Sequence, residues 1–263
     1  MAISTSQMPV ARTRRRGKWV AHGFSLAALG LWWLYSQTVP AYQLPGPGLV
    51  AAGMWEIVTT ATLRRQLMMS FFHVVSSIGL AFVIGLALAM AAQSLWPLRR
   101  LIDGRITPFL NAFSGIGWLF LSILWFGVNS TTVIFAVTMI LIPFSVINIR
   151  TGLIELDGEI RELGRSLTRN RWMHFRLLTL PMLAPYFFAT LRTSFGVAWK
   201  VVLTAELFGG NAGIGYQLNV ARQEFDTEII FAIIAFIIAF VYLVEVTVFA
   251  PMQRRIARRF SRD

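Results

Sequence analysis

The side chains in this sequence that could do chemistry are few and far apart. Histidine occurs at His22, His73 and His174, too widely spaced for the H-E-x-x-H arrangement that holds a metal from one helix face. Cysteine is absent, which excludes disulfides, thiolate nucleophiles and cysteine-ligated metals. Lysine occurs only at Lys18 and Lys200. Neither ends a G-x-x-x-x-G-K-[ST] phosphate loop, so the chain is not expected to be an ATPase. No nucleophile and base converge in the pattern. Catalytic residues, a metal and a cofactor are therefore not expected. The stretch Gly209-Gly210-Asn211-Ala212-Gly213-Ile214-Gly215 superficially suggests a dinucleotide loop. It follows an apolar helix rather than a strand, so a turn is the better reading.

Arg192, Lys200, Glu206 and Glu245 stand inside apolar segments. Such charges are costly in hydrocarbon and are usually functional or paired. Lys200 and Glu206 are six positions apart and do not share a helix face, so each needs partners on other helices. For Lys200 three roles stay open: attracting an anionic solute in a pathway, pairing with another side chain, or snorkelling to the interface. For Glu206, contact with a solute and a structural hydrogen bond stay open. His73 shows no partner in the sequence and reads as a satisfied packing residue.

The elements that carry these residues follow from composition. The chain has 263 residues, of which 56% are hydrophobic and 14% charged, against roughly 25% charged in soluble domains. A water-soluble fold of this length has no way to hide that much apolar surface. An all-α polytopic membrane protein remains. Residues 19–55, 66–98 and 106–149 contain no charged side chain. The last run is long enough for two spans, with a turn at Gly127-Val128-Asn129-Ser130. Six transmembrane helices are expected, at about 19–39, 66–95, 107–127, 131–149, 186–208 and 228–250. They form one domain over 19–250, between a basic tail at 1–18 and another at 251–263. The uncharged stretch after the first basic tail is too long for a signal-peptide core, so an uncleaved anchor is expected. Ser77, Ala81, Gly85 and Ala89 recur every fourth residue, a stripe that lets another helix approach closely, within the chain or in a second subunit.

Net charge is +12, and its placement reports topology rather than nucleic-acid binding. Nineteen of the 24 basic residues fall in the two tails, after the second helix and in the loop 150–185. Arg64, Arg65 and Arg222 occupy the opposite loops. With six spans, both termini are therefore expected to face the cytoplasm.

The cytoplasmic loop 150–185 reads as helical. Asp157 can cap a helix that begins near Gly158, with Glu159 and Glu162 at its electropositive end. Trp172, Phe175, Leu177, Leu178 and Leu180 form an apolar cluster, and Pro181 and Pro185 are expected to end the helical stretch before the membrane is re-entered. By physical chemistry alone this loop is either a membrane-surface segment or a docking element for a partner.

From Glu162 to Pro181 the loop resembles the EAA signature of permease subunits of binding-protein-dependent ABC importers. Glu162-Leu163-Gly164 stands for E-A-A, Thr168 for the glycine, and Leu178-Thr179-Leu180-Pro181 for I-x-L-P, at the signature's spacing. Flanking segments resemble the nitrate/sulfonate/taurine/bicarbonate branch: Trp118-Leu119, Ile123-Leu124-Trp125-Phe126-Gly127, Arg171-Trp172, Ala198-Trp199, Ala205-Glu206 and Gly213-Ile214-Gly215-Tyr216. The resemblance covers roughly residues 45–260. It departs from the branch where a proline-rich lead-in to the third helix is replaced by Ser114-Gly115-Ile116-Gly117-Trp118-Leu119-Phe120. It implies a type I importer permease fold and a homodimer served by two cytoplasmic ATPase subunits, which bind the ATP. It also implies a periplasmic or lipid-tethered solute-binding protein. Glu162, Leu163, Gly164, Thr168, Trp172 and Pro181 are then the expected ATPase-coupling residues. Trp118, Phe120, Lys200 and Glu206 are the expected pathway residues. The expected solute is small and anionic, such as nitrate, a sulfonate or taurine. A different organic solute such as a vitamin precursor, or an ATP-independent channel or secondary transporter, is the alternative.

Overall fold

The computed structural model describes residues 11–155 and 180–260, with side chains described within 23–155 and 180–256. The described residues contain helices and no strand. In chain order they are α1 (Ala11–Ser36), α2 (Pro47–Thr59), α3 (Ala61–Ser94), α4 (Trp96–Leu101), a π-helical turn Ile102–Ile106, α5 (Thr107–Ala112), α6 (Gly115–Phe126) and α7 (Ser130–Glu155). After the loop come α8 (Leu180–Gly209), α9 (Ile214–Gln223), α10 (Thr227–Val244), a second π turn Glu245–Phe249, and α11 (Ala250–Phe260). Three helical stretches, Ala61–Ser94, Ser130–Glu155 and Thr227–Ile256, are each long and apolar enough to cross a membrane. Helix α8 has the length, at 30 residues, and carries Arg192, Lys200 and Glu206 within it.

The core is built on α3, α7 and α8, each of which lies along the other two, with α6 against α7 and α2 against α10. The small-residue stripe on α3 is the reason α3 and α7 come so close. Ser77, Ala81, Gly85 and Ala89 are all buried. A Cβ on Gly85 would stand 2.5 Å from Ser145 Cβ and 3.2 Å from the Val146 amide nitrogen, and Ser77 Oγ donates to the Ile134 carbonyl at 3.3 Å. The stripe is therefore an intrachain contact. Apolar side chains turn the opposite way on α3 and α10, where Val75, Val83, Ile234 and Ile238 are exposed as lipid-facing residues would be.

Several elements differ from the sequence expectation. The run 19–55 holds a second helix, α2, started by Pro47 in its first turn after Gly46, where proline's fixed φ favours helix entry. The third expected span is broken. The segments Trp96–Ala112 and Gly115–Phe126 meet at 84°, because Phe113 and Ser114 are extended. The bend folds the Phe113 ring over Gly117, where a Cβ would stand 2.8 Å from it, and edge-on to Trp118 at 4.8 Å between centroids. Of the two prolines expected to end the helical stretch, Pro185 lies inside α8, which is described from Leu180. The stretch before Leu180 that Pro181 is expected to end lies outside the described residues. The carbonyl that Pro185 leaves free belongs to exposed Pro181. The turn at Gly127–Ser130 forms as expected. Gly127 adopts φ +74°, and Asn129 Oδ1 accepts the Thr132 amide at 3.1 Å to start α7.

Gly85→Leu should destabilise the fold more than Gly85→Ala. Overpacking of a tight helix contact costs about 1–3 kcal/mol, and here the obstruction includes backbone. Thermal unfolding of the detergent-purified protein checks the order, with Gly85→Leu melting lowest.

Candidate functional site

Helix α3 presents a row of polar residues to the interior. Gln66, Ser70, His73 and Ser77 are spaced four, three and four apart, which puts them on one helix face. Their chief partner is Glu206, near the end of α8 and fully buried. Ser70 Oγ donates to Glu206 Oε2 at 2.7 Å. His73 Nδ1 lies 2.7 Å from Glu206 Oε1, within hydrogen-bond distance. The Gly215 amide donates to Oε2 at 2.8 Å. The neighbouring amides follow the same plan: Ile214 N–H donates to Ser70 Oγ at 2.7 Å and Gly213 N–H to Gln66 Oε1 at 2.7 Å.

These amides belong to the start of α9, whose first N–H groups have no intrahelical acceptor and whose dipole favours an anion. Glu206 and two polar side chains from α3 supply what they lack. The glycines follow from this. Gly213 adopts φ +108°, and a Cβ there would collide with the Glu206 carboxylate. A Cβ on Gly215 would run into the Leu203 carbonyl and Glu206 Cβ. The glycine-rich stretch thus cradles an anion by its backbone, but the anion is the chain's own carboxylate. Sequence reasoning misses this role for Gln66, Ser70 and His73. Their spacing of four and three, continued by Ser77 four residues on, in an otherwise apolar run is the available signal.

Lys200 lies on a different side of α8 from Glu206 and is exposed. It lines a groove between α8 and the α10–α11 end, together with Phe188, Arg192, Val197, Val241 and Glu245. Arg192 is engaged there, donating to Glu245 Oε1 and Gln253 Oε1. The π turn at Glu245–Phe249 carries Glu245 into this pairing. The Lys200 ammonium has no hydrogen-bond or ion-pair partner among the described residues. The expected pathway residues therefore diverge. Lys200 faces a groove and Glu206 a sealed interior, while on α6 Trp118 is buried and Phe120 is 64% exposed.

Of the expected coupling residues, Glu162, Leu163, Gly164, Thr168 and Trp172 lie outside the described residues, and Pro181 is exposed on α8. Both ends of that loop are anchored. Arg150, near the end of α7 and 5% exposed, makes a forked pair with Asp103, Nη2 to Oδ2 at 2.7 Å and Nε to Oδ1 at 3.2 Å. Its Nη1 donates to Gln93 Oε1 at 3.0 Å. One guanidinium thereby ties α7 to α3 and to the π turn at 102–106, a fixed planar geometry suited to carboxylate. Tyr186 donates to Glu155 Oε2, joining the last residue of α7 to α8. In the sequence Arg150 shows only as a loop charge, and Asp103 gives no signal at all.

Residues 81–262 match the model of the family described as "binding-protein-dependent transport system inner membrane component". The chain belongs to this family. Among its relatives, the riboflavin transport system permease protein RibX of Chloroflexus aurantiacus is 26% identical over 242 residues, 88% of each chain. The taurine transport system permease protein TauC of Escherichia coli is 25% identical and covers 87% of this chain and 85% of its own. The putative aliphatic sulfonates transport permease protein SsuC of Bacillus subtilis is 26% identical, covering 74% and 70%. The fold of the MetNI methionine ABC transporter in inward-facing conformations matches with a TM-score of 0.63 at 17% identity, over 77% of this chain and 98% of that one. The chain is thus an ABC importer permease of the inner membrane, with the all-α type I permease fold and the nitrate, sulfonate and taurine permeases among its homologues. A permease of this family works with an ATPase and a binding protein.

Removing the carboxylate should loosen the start of α9. Glu206→Ala leaves His73, Ser70 and the Gly215 amide without their acceptor, and breaking such a buried set costs about 3–5 kcal/mol. The expected outcome is a lower melting temperature and faster amide hydrogen exchange at Ile214–Gln217, with Glu206→Gln intermediate because it keeps one acceptor oxygen.

Proposed function

We propose that two copies of this permease form the pathway for a small anionic solute, with ATP bound and hydrolysed by two cytoplasmic partner subunits and the chain itself holding no cofactor. In this reading both termini and the loop 150–185 lie in the cytoplasm, as the basic-residue bias favours. The α8–α9 turn then faces outward toward the solute-binding protein. The observation that carries the anionic solute is Lys200. A charged side chain at the middle of a span costs about 2.5–3.5 kcal/mol, and here it is offered to a groove whose one carboxylate among the described lining residues, Glu245, is paired with Arg192. A cation kept free at that cost favours anions along its path and disfavours cations. Relatives named for taurine, aliphatic sulfonates and nitrate support this, since nitrate and sulfonate groups are anions. The relative named for riboflavin transport, aligned over 242 residues, supports a second reading in which the solute is a vitamin-like molecule carried by the same machinery.

The anionic reading is tested on one substitution. Lys200→Met should preserve assembly and most of the stimulated ATPase activity while lowering uptake of the anion severalfold in proteoliposomes. Unchanged uptake removes Lys200 from the pathway, and lost assembly makes it a structural residue.

Coupling is assigned to Glu162, Leu163, Gly164, Thr168, Trp172 and Pro181, on the strength of the signature spacing and the anchoring of both loop ends by Arg150 and Tyr186. Glu162→Lys should leave the complex assembled but uncouple hydrolysis from transport, because it reverses the charge at the contact that transmits movement. The ratio of ATP hydrolysed to solute imported is the measurement, and an unchanged ratio excludes Glu162 from the contact.

A further inference from the structure

Phe225 is the one non-glycine residue with a positive φ among the described residues, at φ 59°, and it is 85% exposed. It closes α9. The Asp226 amide donates to the Ala221 carbonyl at 2.9 Å and the Phe225 amide to the Arg222 carbonyl at 3.4 Å, the pair of hydrogen bonds of a left-handed helix stop at which glycine is the usual residue. A bulky aromatic there strains the backbone without burying its ring in return, and such an outlier points to function. Three of its exposed sequence neighbours are acids, and Arg222, which donates to Asn219, is the exposed base of the same turn. Glu224, Asp226 and Glu228 flank it, and only Asp226 has a clear local duty, accepting the Ile229 amide at 3.1 Å to cap α10. The platform beneath is rigid, because the other end of α9 is held by Glu206, Ser70 and Gln66.

We infer that Phe225 is an aromatic anchor, rimmed by Glu224, Asp226 and Glu228, that inserts into an apolar pocket on a basic face of the solute-binding protein. Buried aromatics dominate the energy of protein interfaces, and a charged rim sets approach and register. The alternative occupant, the headgroup layer of the membrane, is disfavoured by three carboxylates, which repel an anionic lipid surface. This inference rests on the proposed outward orientation of the α8–α9 turn.

The chain contains no cysteine, so Phe225→Cys gives a unique thiol in the permease. A membrane-impermeant maleimide should label it from outside intact spheroplasts. Labelling only after the membrane is opened overturns the proposed orientation and this inference with it. The anchor itself is tested by Phe225→Gly, which suits the left-handed backbone better than phenylalanine and so should keep or raise the melting temperature. With the transporter in nanodiscs, the concentration of purified partner solute-binding protein giving half-maximal ATPase stimulation should rise about tenfold or more. Glu224→Lys should raise it severalfold, with the effect shrinking at high salt. A thiol labelled from outside combined with unchanged half-saturation in Phe225→Gly overturns the anchor while leaving the orientation standing. Quenching of a bimane attached to the Phe225→Cys variant by spin-labelled lipid headgroups, with unchanged half-saturation in Phe225→Gly, assigns the ring to the membrane instead.

Discussion

A charge in apolar surroundings must find its partners inside the same assembly, and this constraint organises the molecule. Glu206 is met by a histidine, a hydroxyl and a backbone amide, all within 2.8 Å. Charge-assisted hydrogen bonds of this kind contribute about 1.5–3 kcal/mol each. Their larger consequence is geometric, since the donors come from different parts of the chain. Two come from α3 and one from α9, so satisfying the carboxylate fixes α8 against α3 and aims α9 across the end of both. The glycines at 213 and 215, and the polar face of α3, are the conditions under which that carboxylate can be buried.

The opposite end of the bundle uses the same principle with the sign reversed. Arg150 is nearly buried and is held by Asp103 and Gln93, while Arg192 is held by Glu245 and Gln253. The two groups bracket the loop 156–179, Arg150 from α7 and Arg192 from α8. Helix α8, described from Leu180, therefore runs from the far side of the loop 156–179 to the Glu206 cradle at its last turn. In the proposed importer this places the ATPase contact and the face presented to the solute-binding protein on one helix, with Lys200 partway along it.

The glycine-rich stretch illustrates why residue type alone misleads. Successive amides in a Gly-rich turn at a helix start form an anion site wherever they occur. In a nucleotide-binding domain the anion is a phosphate brought from solution. Here it is a glutamate three to nine residues upstream of those glycines, and the site is closed. The chemistry is the same and the function differs, because a neighbouring helix supplies the remaining donors and leaves no room for a ligand.

The sequence by itself determined the all-α membrane fold and the small-residue seam on α3, because apolar run length and four-residue spacing are local, additive signals. The turn at Gly127–Ser130 was legible for the same reason, since Gly and Asn act on their own backbone. Tertiary structure decided what followed from distant partners. His73 and Glu206 are 133 positions apart, and Arg150 and Asp103 are 47 apart, so neither pair shows in any window. The break at Phe113–Ser114 also escaped, because it depends on a ring finding Gly117 and Trp118 rather than on proline. Whether Lys200 and Glu206 were free or paired turned on the rotation of α8. A hydrophobic pattern leaves that rotation undetermined when charged residues lie on more than one face, and only packing against α3 and α10 set it.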